Sequence, residues 1–174
     1  TTNFIRGYQP SAISVGLVKD GQGVMGLVLD LGTGELFTAV RGGGAFCNGK
    51  PLQGAQAPLE NAVIVFGTAP YYRELADATF AAAKELFLCC GDLRRSGSAA
   101  LDLCHVAAGQ CDGFFEARLS PWDYAAASVI LREAGCPLDT LPGQAFSYEK
   151  PQAILAGSPA VYPALREIVG RCLG

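Results

Sequence analysis

Two acidic side chains stand where an α/β protein gathers a ligand. The stretch Ser120-Pro121-Trp122-Asp123 opens an Ala-rich run that closes on Glu133-Ala134-Gly135, so Asp123 falls at the front of an expected helix over 122–134. Glu116 lies seven residues earlier, at the end of an expected strand over 112–116. Strand ends and helix starts converge on one edge in such folds, and two carboxylates there suit a hard cation or a polyol. The plainer role for Asp123 is to cap the first amides of its own helix, a contribution of about 1 kcal/mol.

A second stretch, Leu93-Arg94-Arg95-Ser96-Gly97-Ser98-Ala99-Ala100-Leu101-Asp102-Leu103, turns a strand into a helix expected over 97–109, with Ser96 or Ser98 as its cap. His105 lies inside that helix among Leu103, Cys104, Val106 and Ala107 with no partner set by spacing, so it reads as a structural histidine. The run Gly42-Gly43-Gly44 precedes a strand and not a helix. It therefore reads as a hairpin or bulge, since a phosphate cradle needs amides gathered at a helix N-terminus.

These residues need a scaffold, and the patterning supplies one. Residues 12–40 alternate apolar with small or polar positions, broken at Asp20-Gly21 and at Gly32-Thr33-Gly34, and Asn48-Gly49 adds a further tight turn. This is an antiparallel meander. From Ala62-Val63-Ile64-Val65-Phe66 onward, short buried strands alternate with helices: one over 71–86, the two named above, a strand at 154–156, and a last helix from Pro159. Neither a repeat nor a linker separates the two parts, so both belong to one sandwich of sheets and helices.

The 174 residues are 50% hydrophobic with mean hydropathy +0.26, enough for a sizeable core. Thirteen Lys and Arg against sixteen Asp and Glu, with a pI near 5.1, give none of the basic field that nucleic-acid binding uses. No apolar run reaches the roughly 18–20 residues that span a bilayer. Seven cysteines without C-x-x-C spacing fit reduced thiols, and no secretory signal is visible, so a cytoplasmic setting is expected. The expected partner is a small molecule, not nucleic acid or membrane.

The block ending in Trp122-Asp123 and closing on Glu133-Ala134-Gly135 resembles the second motif of the inositol monophosphatase family, with Cys136 in place of the usual second glycine. The 93–103 block resembles the same family at its strand-to-helix turn. Thr1-Thr2-Asn3-Phe4 resembles the tail of the family's first motif, Asp-Pro-(Ile/Leu)-Asp-Gly-Thr-Thr-Asn-Phe, and the Gly34-Glu35-Leu36-Phe37-Thr38-Ala39 and Gly42-to-Gly49 stretches match as well. The resemblance implies an α+β fold, an α/β/α/β/α layered sandwich. Its antiparallel sheet would occupy residues 1–60, its α/β part residues 61–174, and the N-terminal part would be missing.

It further implies magnesium-dependent hydrolysis of a phosphate monoester, myo-inositol monophosphate above all, by a homodimer. Asp123 would be a metal ligand, and Thr1 would be catalytic, holding the attacking water. The backbone at Thr1 and Thr2 would meet the phosphate, and Gly97, Ala99 and Glu116 would orient the polyol. The family's other metal ligands, a Glu and two Asp, would precede Thr1, so the chain as written is expected to have little or no activity. Alternatives within the superfamily are a 3′(2′),5′-bisphosphate nucleotidase and a fructose-1,6-bisphosphatase. Outside it stand an N-terminal nucleophile hydrolase using Thr1 and a non-catalytic binding remnant of a phosphatase.

Overall fold

The computed structural model describes residues 2–174. The expected meander is a five-stranded antiparallel sheet in sequence order: β1 (Ala12–Lys19), β2 (Gln22–Asp30), β3 (Leu36–Val40), β4 (Ala45–Cys47) and β5 (Lys50–Pro51). Asp20 and Gly21 take φ of 51° and 69°, and Asn48 and Gly49 take 49° and 78°. Both pairs thus form the left-handed two-residue turns whose twist matches that of the strands they join.

The second sheet is mixed, with spatial order β7-β6-β8-β10-β9. Strand β6 (Val63–Phe66) runs parallel to β7 (Asp92–Arg94) and to β8 (Gly113–Leu119), while β10 (Gln152–Gly157) is antiparallel to β8 and to β9 (Leu138–Asp139). Strand β8 is longer than expected. Its pairing with β10 continues from Ile154 opposite Glu116 to Gln152 opposite Leu119, so Glu116 sits inside the strand and not at its end.

Five α-helices complete the described residues: α1 (Thr2–Ile5), α2 (Ala76–Phe87), α3 (Ala99–Ala107), α4 (Pro121–Glu133) and α5 (Tyr162–Leu173). The helix expected from Tyr71 begins only at Ala76, because Tyr72 turns back to the Ala69 carbonyl and a single 3-10 turn, Arg73–Leu75, comes first. Helices α3 and α4 lie between the sheets, and α2 with α5 covers the far face of the mixed sheet. Alternation along β8 serves both cores: Phe114 packs in the inner one and Phe115 in the outer.

Helix α4 rides on bare backbone of the meander. A Cβ on Gly26 would lie 2.1 Å from the Ala126 carbonyl oxygen, and one on Gly16 would lie 2.9 Å from the Ala126 nitrogen. Glycine below and alanine above let the helix approach closely and fix its height over the sheet. Its far end is tied by Glu133, whose two carboxylate oxygens each accept a backbone N–H at 2.9 Å, from Gly42 and from Gly44. The glycine-rich turn is thus a hairpin connection, as expected, but its amides do cradle an anion: the protein's own Glu133.

Four layers result, sheet, helices, sheet, helices. Ile13, Val15, Leu17, Met25 and Val40 project from the outward face of the meander, where the fifth, helical layer of the expected sandwich would lie, and they are exposed among the described residues. No described helix is long and apolar enough to cross a membrane. The seven cysteines are free.

Candidate active site

Helices α3 and α4 start side by side, and a cleft of about 480 Å³ opens there. Gly97, Ser98 and Ala99 form one wall at the start of α3. Trp122 and Asp123 form another at the start of α4, and Asn3 of α1 closes a third. Helix starts carry unpaired amides and partial positive charge, which suits an anion.

Asp123 takes the capping role expected of it and also lines the cleft. Its Oδ2 accepts the Ser120 amide at 3.1 Å, which is helix capping, and the carboxyl group also faces the cleft. Burial pushes its pKa above the usual carboxylate range, partly offset by that amide. The caps expected at α3 are rearranged. Ser98 is the first residue of the helix boundary but makes no side-chain cap bond, and its amide donates instead to the Ser96 hydroxyl at 3.0 Å. Gly97 takes φ 85°, a conformation glycine adopts without strain.

Of the other expected site residues, Gly97 and Ala99 share the cleft with Asp123. Glu116 stands beside it without lining it. Thr2 lies exposed on α1, where its neighbours Asn3 and Phe4 do the lining. Thr1 falls outside the described residues. Glu116 is only 8% exposed, and its Oε1 accepts the Ala69 N–H at 2.9 Å. Burial, with smaller repulsion from Asp123 and Asp102, pushes its carboxyl up to about 7 against the pull of the Ala69 amide and of Arg95.

Three functional candidates escaped the sequence reading. Asp102, 3% exposed inside α3, is pushed by burial up to about 6, with the Ser96 hydroxyl and Arg95 acting against the shift. A lone carboxylate in Ala-Ala-Leu-Asp-Leu-Cys was the available signal. Asn3 donates to the Pro10 carbonyl at 2.8 Å and to the Ser96 carbonyl at 3.2 Å, tying α1 to the approach of α3. The loop 67–69 is the third: a Cβ on Gly67 would lie 1.9 Å from Glu116 Oε2, so a side chain there would displace that carboxylate. Nothing in the sequence signals it. His105 is structural, packed edge-on against Phe37 at 6.3 Å, with its pKa lowered by burial.

A larger cleft of about 610 Å³ lies between β1, α4 and residues 146–149. It shares Ser14 and Trp122 with the first, but brings neither Asp123 nor the amides of α3. Among the described residues no three His, Cys, Asp or Glu side chains converge as a metal site. The Asp123 carboxylate is the kind of hard oxygen donor that magnesium takes, and by itself it would supply a single coordination position.

The family profile for the inositol monophosphatase family matches residues 1–172. The Nus factor SuhB of Salmonella typhimurium is 40% identical over 166 residues, which are 95% of this chain and 62% of that protein. The inositol-1-monophosphatase of Rhizobium meliloti (strain 1021) is 40% identical over 172 residues, 98% of this chain and 64% of that one. The crystal structure of the extragenic suppressor protein suhB from Bartonella henselae superposes with a TM-score of 0.90 at 34% identity, covering 97% of this chain and 65% of that chain. The chain thus spans a little over three-fifths of the length of the curated relatives it matches. With its two sheets, its paired helix starts and a match along nearly all of its length, this chain belongs to the inositol monophosphatase family.

Proposed function

We propose that the α3/α4 cleft belongs to a magnesium-dependent phosphatase site acting on phosphate monoesters of polyols, with myo-inositol monophosphate as substrate. The observation that carries this reading is the placing of the Asp123 carboxyl opposite Gly97 and Ala99 at two adjacent helix starts. Asp123 would hold magnesium, which when bound would supply Lewis-acid stabilisation of phosphoryl and leaving-group oxygens. The backbone at Gly97 and Ala99, with that of Thr1 and Thr2, receives the ester. Glu116, fixed by the Ala69 amide, accepts hydrogen bonds from ring hydroxyls. Thr1 is the residue proposed to hold the attacking water.

One described carboxylate at the cleft makes a single metal position, so the 174 residues alone should release little phosphate. The test pairs turnover with binding. Phosphate release from myo-inositol 1-phosphate is measured with magnesium and with chelator, beside a 3′(2′),5′-bisphosphate nucleotide and fructose 1,6-bisphosphate. Trp122, the single tryptophan and 74% exposed at the cleft, reports binding by fluorescence. The reading holds if magnesium and the ester change Trp122 emission. It fails if neither does, or if the isolated chain turns over freely without magnesium. We further propose a cytoplasmic homodimer; the free cysteines support the cytoplasmic setting, and sedimentation of a monomer at micromolar concentration would refute the dimer.

A further inference from the structure

Helix α1 is a single turn, Thr2–Ile5, and a turn of four residues has too few internal hydrogen bonds to stand on its own. Its hold on the rest of the protein is narrow. Thr2, Phe4 and Ile5 are exposed, and only Asn3 among the four is half-buried. The Asn3 backbone carbonyl accepts the Tyr8 N–H at 2.9 Å, and the Thr2 carbonyl accepts the Arg6 N–H at 3.1 Å, so the backbone closes the turn on itself. Those bonds are local. The bonds that reach the body of the fold come from the Asn3 side chain.

Asn3 Nδ2 donates to two carbonyls from distant parts of the chain, Pro10 at 2.8 Å and Ser96 at 3.2 Å. A primary amide has two N–H donors, and both are engaged. Pro10 stands two residues before β1 begins. Ser96 precedes Gly97, so its carbonyl shares a peptide plane with the Gly97 N–H; fixing the one fixes the direction of the other. On the far side of the same turn the Ser98 N–H goes to the Ser96 hydroxyl at 3.0 Å, so the turn is held at both ends. Its spacing from α1 is equally set. A Cβ on Gly97 would stand 3.4 Å from both Nδ2 and Oδ1 of Asn3.

We propose that Asn3 is a positioning residue, whose one side-chain amide sets the distance between α1, with Thr2 assigned to the phosphate, and the Gly97 peptide, assigned to the alcohol half of the ester. This rests on the cleft being a phosphate-ester site. Asn3 holds no metal and moves no proton. It acts through the Pro10 and Ser96 carbonyls, keeping the two halves of the cleft at one separation before the ester arrives, so that binding does not have to order them.

Two variants separate donation from shape: Asn3→Leu keeps the outline of the side chain but loses both donors, and Asn3→Ala loses the outline as well. No residue of α1 is buried, so both should fold as the unaltered chain does. In the ligand-free 174-residue chain, amide hydrogen exchange at Arg6 and Tyr8, followed by NMR, should quicken about tenfold in both, because α1 opens once its tie is gone. Trp122 emission is then titrated with magnesium alone and, in saturating magnesium, with myo-inositol 1-phosphate. The magnesium midpoint should stay in place, while the ester should bind about tenfold more weakly in both variants. Unchanged exchange, an Asn3→Leu ester affinity equal to that of the unaltered chain, or magnesium and ester midpoints that shift together overturns the positioning role and leaves the phosphate-ester site standing. No response of the unaltered chain to the ester overturns the site and the positioning role with it.

Discussion

Replacing Glu116 with Gln removes a charge from surroundings that disfavour it. The carboxyl is 8% exposed and pushed up to about 7 from an ordinary value of 4.5, chiefly by burial. That interval corresponds to about 3 kcal/mol against the ionised form in the folded chain. Because the folded value is the higher one, the protonated group favours folding fully below about pH 4.5, and this contribution is lost as pH rises through about 7. Glutamine never ionises, and its carbonyl oxygen still accepts the Ala69 amide. The stability of Glu116→Gln relative to the unaltered chain should therefore rise between pH 4.5 and 7 and level off above, gaining up to about 3 kcal/mol. For a domain of this size that is about 6–12 °C in melting temperature. Urea unfolding of both proteins at several pH values between 4.5 and 8 measures the difference, in which the trend of Asp102 largely cancels. If the two stability curves run parallel across that window, the carboxyl is not held as described and the account of loop 67–69 is wrong.

Glu133→Ala should strand the amides of Gly42 and Gly44 and cost about 1–2 kcal/mol in chemical denaturation, whereas Glu133→Gln, which keeps one acceptor, should cost less. Gly26→Ala should be more damaging, about 3 kcal/mol or above, because the new Cβ would meet the backbone carbonyl of Ala126 and not a side chain able to swing away; equilibrium unfolding or loss of soluble protein reads this out. Asp123→Asn keeps an acceptor for the Ser120 amide, so stability should change by less than about 1 kcal/mol. The same variant should abolish the magnesium response of Trp122 fluorescence, and a retained response would remove Asp123 as the metal ligand.

Local chemistry was legible along the chain wherever it acts over a few residues. Asp20-Gly21 and Asn48-Gly49 set their own left-handed turns, and alternation over 12–40 set the meander. The motif around Trp122-Asp123 placed one carboxylate at a helix start and named the family. Asp123, Gly97 and Ala99 were therefore found as a group that the fold then gathered in one cleft.

What escaped depends on contacts between residues far apart in sequence. Glu116 appeared to end its strand because nothing near it says that β10 extends the ladder to Leu119. The Gly42–Gly44 turn showed no anion because its carboxylate comes from a residue about ninety positions away. Its own sequence determined where this chain turns and which faces are apolar, since those follow from backbone preference and side-chain type over short spans, and its motifs carried the family resemblance. Only the tertiary structure decided that loop 67–69 covers Glu116 and that burial pushes its carboxyl up to about 7. Burial and electrostatic environment belong to the packed assembly of elements and not to any one segment.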